Sequence, residues 1–251
     1  MLAIRRLSED VYEAVPEGSG LLFGGCSLAL GLTSAAETVH PSMVPRSLHA
    51  CFLRPGQWGS EVALTVDRWS DDPSFATRQV TLSQAGRAIA TVEASFHRPE
   101  EGEDWQASPF PEVPAPDVLV PAKVHLPEQM IEVRQANGGS GLSLVESPHP
   151  YWSRPIGLAD ANKGAHYAAV AFISDYMVVL SMHKAGLPAT ATIRTVTHSL
   201  WFHREVDAGT WLLFGSDPLS VARGRGFATG SIYSETTALV ASFAQEVIVQ
   251  S

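Results

Sequence analysis

The sequence predicts an α+β fold built from one unit used twice, each unit a buried helix followed by an antiparallel sheet. Three observations predict it. Two stretches of helical length are apolar all round, CSLALGLTSAAETV (26–39) and AHYAAVAFISDYMVVLSM (165–182), and such a helix belongs in a core. Each is followed by short β-rich segments separated by turn residues, the pattern of a meander. The segments also recur in order: LHACFL (48–53) with THSLWF (197–202), FAT (75–77) with FAT (227–229), and ASF (94–96) with ASF (241–243). The offset drifts with loop length, which is how a duplication looks.

In chain order, residues 3–15 read as a strand or strand pair. Gly24-Gly25 precedes the first helix, read as Cys26–Val39; the pair is either a tight entry turn or a helix N-terminus that faces an anion. Pro41–Pro45 is loop. Strands follow at Ser47–Leu53, Glu61–Trp69, Phe75–Leu82 and Ala88–His97. Pro99–Pro127 holds seven prolines and the acidic residues Glu100, Glu101, Glu103 and Asp104, a linker by composition. The second half begins with strands at Met130–Gln135 and Tyr151–Arg154 around a glycine-rich turn at Asn137-Gly138-Gly139. Its helix ends at Gly186-Leu187-Pro188, and strands follow at Thr192–His203, Trp211–Gly215, Phe227–Tyr233 and Leu239–Val249. The expected units are 1–98, a linker 99–127, and 128–251.

Bulk composition narrows the function classes. The chain has 251 residues, 45% hydrophobic, with a net charge of −9. That charge opposes nucleic acid as a partner, because phosphate binding needs a basic surface. The two cysteines, Cys26 and Cys51, form no CxxC pair, and no His/Cys cluster has zinc spacing. Buried free thiols in a reducing compartment, the cytoplasm, are expected, with no signal peptide. The 165–182 run raises the membrane question. A mid-span Asp would cost about 2.5–3.5 kcal/mol on insertion scales, so a core helix without membrane insertion is expected.

That Asp is the chain's chief oddity. Asp175 is the one charge in 165–182. An isolated carboxylate in a core costs several kcal/mol unless it is hydrogen-bonded or protonated. A structural carboxylate capping a turn or pairing with an Arg is the plain alternative to a catalytic one. Ser174 beside it lacks a G-x-S-x-G context, which argues against a serine hydrolase. His49 and His198 fall on equivalent strand positions of the repeat, and a structural role is favoured for both.

FGGCSLALGLTSAAETV, LHACFLRPG and ASFHRPE in the first half, then ISDYM, THSLWFHR and ASFAQE in the second, resemble the acyl-CoA thioesterase II family. The resemblance spans nearly the whole chain apart from the linker. It implies a double hotdog, two long helices each wrapped by an antiparallel sheet, as an internal pseudo-dimer. It also implies a hydrolytic water held by Asp175, Thr195 and Gln245. The segment before Thr195 is shorter than in the family, which leaves Thr197 as a substitute, and FGGC stands where FGGQ is common, so no polar role passes to Cys26. By the repeat alignment the first-half counterparts of Asp175 and Gln245 fall near Ser34 and Arg98, so one site per chain is expected.

The chemistry suits the residues. A thioester carbonyl is electrophilic enough that a positioned water, a base and a polarised carbonyl suffice, with no metal or other cofactor. Asp175 would act as base. Burial would raise its pKa and hydrogen bonds from Thr195 and Gln245 would lower it. Backbone N–H groups at Gly24 and Gly25 are candidate oxyanion donors. Arg154, Lys163, Arg204, Arg223 and Arg225 are available for the anionic end of coenzyme A, and Arg223 and Arg225, in a glycine-flanked turn, are the main candidates. The implied function is hydrolysis of acyl-CoA by a homo-oligomer. The rivals are a non-catalytic acyl-CoA or lipid-binding protein and an enoyl-CoA hydratase; the G-D-x-N-P-x-H segment of hydratases is missing.

Overall fold

The computed structural model describes residues 3–124, 126, 130–136, 150–158, 161–188 and 190–250. The expected turn at Asn137-Gly138-Gly139 and the expected start of the second unit at 128 lie outside them. Four strands follow the first helix in the N-terminal half: β3 (Val44–Phe52), β4 (Val62–Asp71), β5 (Phe75–Gln84) and β6 (Arg87–His97). Short strands β1 (Arg5–Ser8) and β2 (Val11–Ala14) precede it. The second half repeats the plan with β7 (Ile131–Gln135) and β8 (Tyr151–Pro155) before its helices. After them come β9 (Thr192–Phe202), β10 (Leu212–Ala222), β11 (Arg225–Ser234) and β12 (Leu239–Gln250).

All of these strands join one antiparallel sheet, in the order β1-β2-β4-β5-β6-β3-β9-β12-β11-β10-β8-β7. The halves meet where β3 pairs with β9, from Ser47 opposite Trp201 to Cys51 opposite Thr197. Helix α1 (Gly24–Ala36) packs against β3–β6 and against α2 (Lys163–Ser174). Helix and strand faces close over one continuous apolar core that includes Leu28, Leu30, Leu64, Val92, Phe172, Leu200 and Phe243. This is a double hotdog.

The helices touch backbone to backbone. A Cβ on Gly25 would lie 2.1 Å from the Phe172 carbonyl oxygen and 2.4 Å from the Phe23 ring. Only glycine permits that approach. The helix begins at Gly24, inside the glycine pair rather than after it.

The second helix departs from the sequence expectation. The 165–182 run is broken: α2 ends at Ser174, Asp175 caps it, and a short α3 (Val178–Ser181) passes into a 3₁₀ turn at Met182–Ala185. Met177 at φ 66° is the hinge, a left-handed conformation that costs about 1–3 kcal/mol for a residue with a side chain. The Tyr176 carbonyl freed by the break accepts from the Tyr151 hydroxyl at 2.9 Å. By length and composition alone the run Lys163–Ala185 would cross a membrane, but most of it is buried within this fold.

The proline-rich segment straps the outside of the second half. Trp152 donates its indole N–H to the Pro114 carbonyl at 2.9 Å, and Ser108 and the Tyr233 hydroxyl are 2.6 Å apart. Arg204 pairs with Asp104. Phe110 packs on Trp152 and Tyr233.

Strand pairing also corrects the repeat register. His198 stands opposite Ala50 and Gln245 on the helix-facing side. His49, next to Ala50, therefore points to the other face, where it meets Ser199 and Trp201. The two histidines are not equivalent, and the offset between β3 and β9 is even rather than odd. Arg98 lies beyond the end of β6. The first half's helix-facing row on β3 and β6 is Leu48 opposite Ala94, Ala50 opposite Val92 and Phe52 opposite Ala90.

Candidate active site

Asp175 sits where α2 stops, 6% exposed. A helix C-terminus is the wrong end for a carboxylate. The compensation comes from the other helix, whose N-terminus points at it. The Gly25 backbone N–H and the Thr195 hydroxyl face Asp175 and act to lower its pKa. Desolvation outweighs them, and the carboxyl is pushed up to about 7. Its Oδ1 is buried with no hydrogen-bond partner among the described residues. An under-satisfied buried carboxylate is a strong base for its kind.

The glycine pair makes this arrangement possible. A Cβ on Gly24 would come within 2.5 Å of Asp175 Oδ2. The anion that the α1 N-terminus meets is thus the protein's own carboxylate, and Gly25 N–H is committed to it. Gly24 N–H, at the first position of α1, has no intrahelical partner, and Gly24 lines the cleft described below.

Thr195 reaches the site through a β-bulge. Thr197 pairs with Glu246 while Thr195 pairs with Val247, so β9 carries one extra residue, Val196. Strict alternation would give Thr195 and Thr197 the same face. The bulge turns Thr195 to the helix side, where its Oγ1 accepts from Gln245 Nε2 at 2.9 Å; Thr197 stays on the far face opposite Cys51. Bulges beside sites re-aim side chains in this way. Gln245, fully buried on β12, faces His198, with Oε1 at 2.8 Å from Nδ1. The structure therefore brings Asp175, Thr195 and Gln245 into one connected group.

Asp175 forms part of the wall of a cleft of about 420 Å³. The first half supplies Leu22, Gly24, Ser27, Phe52, Arg54 and Ile89, and the second supplies Asp175, Arg194, Thr195, Val196 and Ile248. Arg54 and Arg194 are its basic residues. Neither was singled out for a role from the sequence, although Arg54 stands in the FLRPG motif that helped mark the resemblance. Arg223 and Arg225 lie at the β10–β11 turn and do not line this cleft. Arg225 shares a cross-strand row with it, Arg194–Ile248–Arg225, and leans on Glu246 at 3.3 Å. Arg154 pairs with Glu132, and Lys163 with Glu205. Among the described residues no cluster of His, Cys, Asp or Glu could hold a metal ion.

Comparison with known proteins gives the family. Residues 14–97 match the model of the acyl-CoA thioesterase N-terminal domain, and residues 99–249 that of the C-terminal domain. Acyl-CoA thioesterase 2 of Haemophilus influenzae is 26% identical over 275 residues, covering 100% of this chain and 96% of that protein. Acyl-coenzyme A thioesterase 8 of Rattus norvegicus is 26% identical, covering 100% and 88%. A crystal structure of an acyl-CoA thioesterase II from Mycobacterium marinum is 28% identical, with a TM-score of 0.83 over 99% of this chain and 95% of that one. With both halves matched in order and the whole length aligned, the chain belongs to the acyl-CoA thioesterase family.

Proposed function

We propose that this protein hydrolyses acyl-CoA thioesters to free acid and coenzyme A, with Asp175 as the base. The observation that carries the reading is a buried carboxylate, held near neutral pKa, in the wall of a cleft shared by both halves. A general base works best when its pKa lies near the operating pH, and contributes about 10²–10⁴-fold. Asp175 takes a proton from water as the water oxygen attacks the thioester carbonyl. The C–S bond then breaks, the sulfur leaves as thiolate and takes up a proton, and the acyl group leaves as the acid. Gly24 N–H, at the positive end of α1, is the donor proposed for the developing oxyanion. Gly25 N–H serves the carboxylate instead. Arg54 and Arg194 supply positive charge for the anionic end of coenzyme A, a role in which the geometry favours them over Arg223 and Arg225.

The test is thiol release from short, medium and long acyl-CoAs, followed with a chromogenic thiol reagent. Turnover of at least one chain length is expected. Acyl-CoA binding without thiol release at any length would make the protein a binding module.

A further inference from the structure

The group around Asp175 extends further than the three residues of the proposed mechanism. Gln245 Oε1 faces His198 Nδ1 at 2.8 Å, and on the far side of the ring His198 Nε2 faces Ser174 Oγ at 2.9 Å. Ser174 directly precedes Asp175, so the chain of contacts runs from the last residue of α2 through two strands and back to the helix cap. Ser174, His198 and Gln245 are each at most 1% exposed. The imidazole lies nearly parallel to the Phe243 ring, with centroids 5.6 Å apart.

A buried chain of this kind has two self-consistent directions. In one, Ser174 O–H donates to Nε2, Nδ1–H donates to Gln245 Oε1, Gln245 N–H donates to Thr195, and the Thr195 hydroxyl is left to donate to Asp175. In the other, every bond is reversed. Nε2–H then donates to Ser174, whose own proton goes to the Ala171 carbonyl at 2.9 Å. The Gln245 amide turns over, and Thr195 presents only lone pairs to Asp175, which must then hold a proton itself. We propose that His198, with Ser174 behind it, is a positioning residue that holds the chain in the first direction, so that Thr195 donates to the ionised form of the base. The inference rests on Asp175 being the base, as proposed above.

The observed Gln245 orientation supports the first direction, since Nε2 is on the Thr195 side. Burial holds the His198 pKa down to about 4, so the ring is neutral and in either direction one nitrogen must accept. With Nδ1 donating to Gln245, the acceptor is Nε2 and its donor is Ser174. A charged imidazolium would donate at both ends and would not need Ser174.

Three variants test the proposal. His198→Leu removes both ring nitrogens; His198→Asn keeps a donor near the Nδ1 position; Ser174→Ala removes the hydroxyl behind the ring. His198→Leu is expected to lower kcat by roughly ten- to a hundredfold, the usual cost of losing an outer-shell partner, with KM unchanged. The acid limb of its kcat/KM profile should move to higher pH, because a carboxylate that loses a donor becomes more basic. The other ionisable groups around Asp175 (Arg54 and Arg194 at the cleft, Tyr151 and Tyr176 beside the helix break) are the same in each variant. His198→Asn should recover most of the loss and return the limb toward its wild-type position. Equal kcat and equal limbs for His198→Leu and His198→Asn, at either activity level, would overturn the proposal. If His198→Leu does not fold, Ser174→Ala decides: an upward shift of the acid limb supports the chain, and an unmoved limb overturns it. Asp175→Asn run alongside separates the two claims, since a nearly fully active Asp175→Asn would remove the base itself and not merely its orientation.

Discussion

The two halves of this molecule share a plan and differ in what fills the space between helix and sheet. In the second half the helix-facing row holds His198 opposite Gln245, both fully buried, with Thr195 and Asp175 beside them. In the first half the matching strands bring Leu48 against Ala94 and Ala50 against Val92. The first half's buried charge, Arg78, is used elsewhere. It is held by Thr38, by the Ser70 carbonyl and by Asp71, a fully bonded structural guanidinium. The Asp175 carboxyl, by contrast, has one oxygen with no partner. A buried polar group that is completely bonded stabilises a fold, whereas one left short of partners is reactive. The first half still contributes to the site: the N-terminus of α1 and one wall of the cleft.

The sharpest way to break the contrast is to remove the reactive carboxylate. Asp175→Asn is expected to lower kcat by about 10²–10⁴-fold, the scale of a general base. It should also stabilise the protein at alkaline pH. The folded pKa of about 7 lies above the ordinary carboxyl value, so the folded state keeps a proton that the unfolded chain releases. Wild-type stability is then fullest below about pH 4, falls as pH rises toward about 7, and is flat above that. The amide avoids this loss. Thermal melts of both proteins at pH 5 and pH 8 check it: the Tm difference should favour Asp175→Asn more at pH 8. A wild-type acid limb of kcat/KM near pH 7 is the companion expectation, and a limb near pH 4 would mean that donors outweigh burial at Asp175.

The next effect concerns what the first half lends. Gly25→Ala drives a methyl into the Phe172 carbonyl and the Phe23 ring. Overpacking of this kind costs about 1–3 kcal/mol. It also moves the N–H that serves Asp175, so activity should fall by more than the stability loss explains. Thiol release measured well below the variant's own Tm separates the two. Full activity there would make α1 a spacer and not a participant.

How much of this was legible beforehand follows from the physics of each part. The duplicated helix and meander, and the odd burial of Asp175, stand in the sequence because hydrophobic period and charge are local. The resemblance named Thr195 and Gln245, but alternation alone placed Thr195 and Thr197 on one face. The β9 bulge that separates them is set by pairing with β12, about fifty residues away, and leaves no local mark. The helix break after Ser174 leaves no mark in the sequence, because an apolar run gives no signal for a left-handed Met177; its support, the Tyr151 hydroxyl, comes from β8. The repeat matches His198 to His49, but strand pairing puts them on opposite faces, and an offset error of one residue exchanges the faces of a strand. A glycine-flanked basic turn points from the sequence to Arg223 and Arg225, whereas the cleft is lined by Arg54 and Arg194. Which arginines border the cleft depends on the seam between halves.

That seam gives the smallest and most discriminating test. Arg54 comes from the first half and Arg194 from the second, at one cleft. Arg225 stands one strand beyond Ile248 in the same row. If the anionic end of coenzyme A is held at the seam, Arg54→Ala and Arg194→Ala should each raise KM for acyl-CoA by up to about fivefold, the equivalent of the ~1 kcal/mol of an exposed ion pair. Their kcat should hold, since neither touches the base. Added salt should shrink the difference from wild type, because exposed charges are screened. Arg225→Ala should do less, because its guanidinium already leans on Glu246. A larger KM effect at Arg225 than at Arg54 and Arg194 would move the nucleotide end onto the second half alone. The first half's share would then shrink to the helix terminus that faces Asp175 and the apolar wall of the cleft.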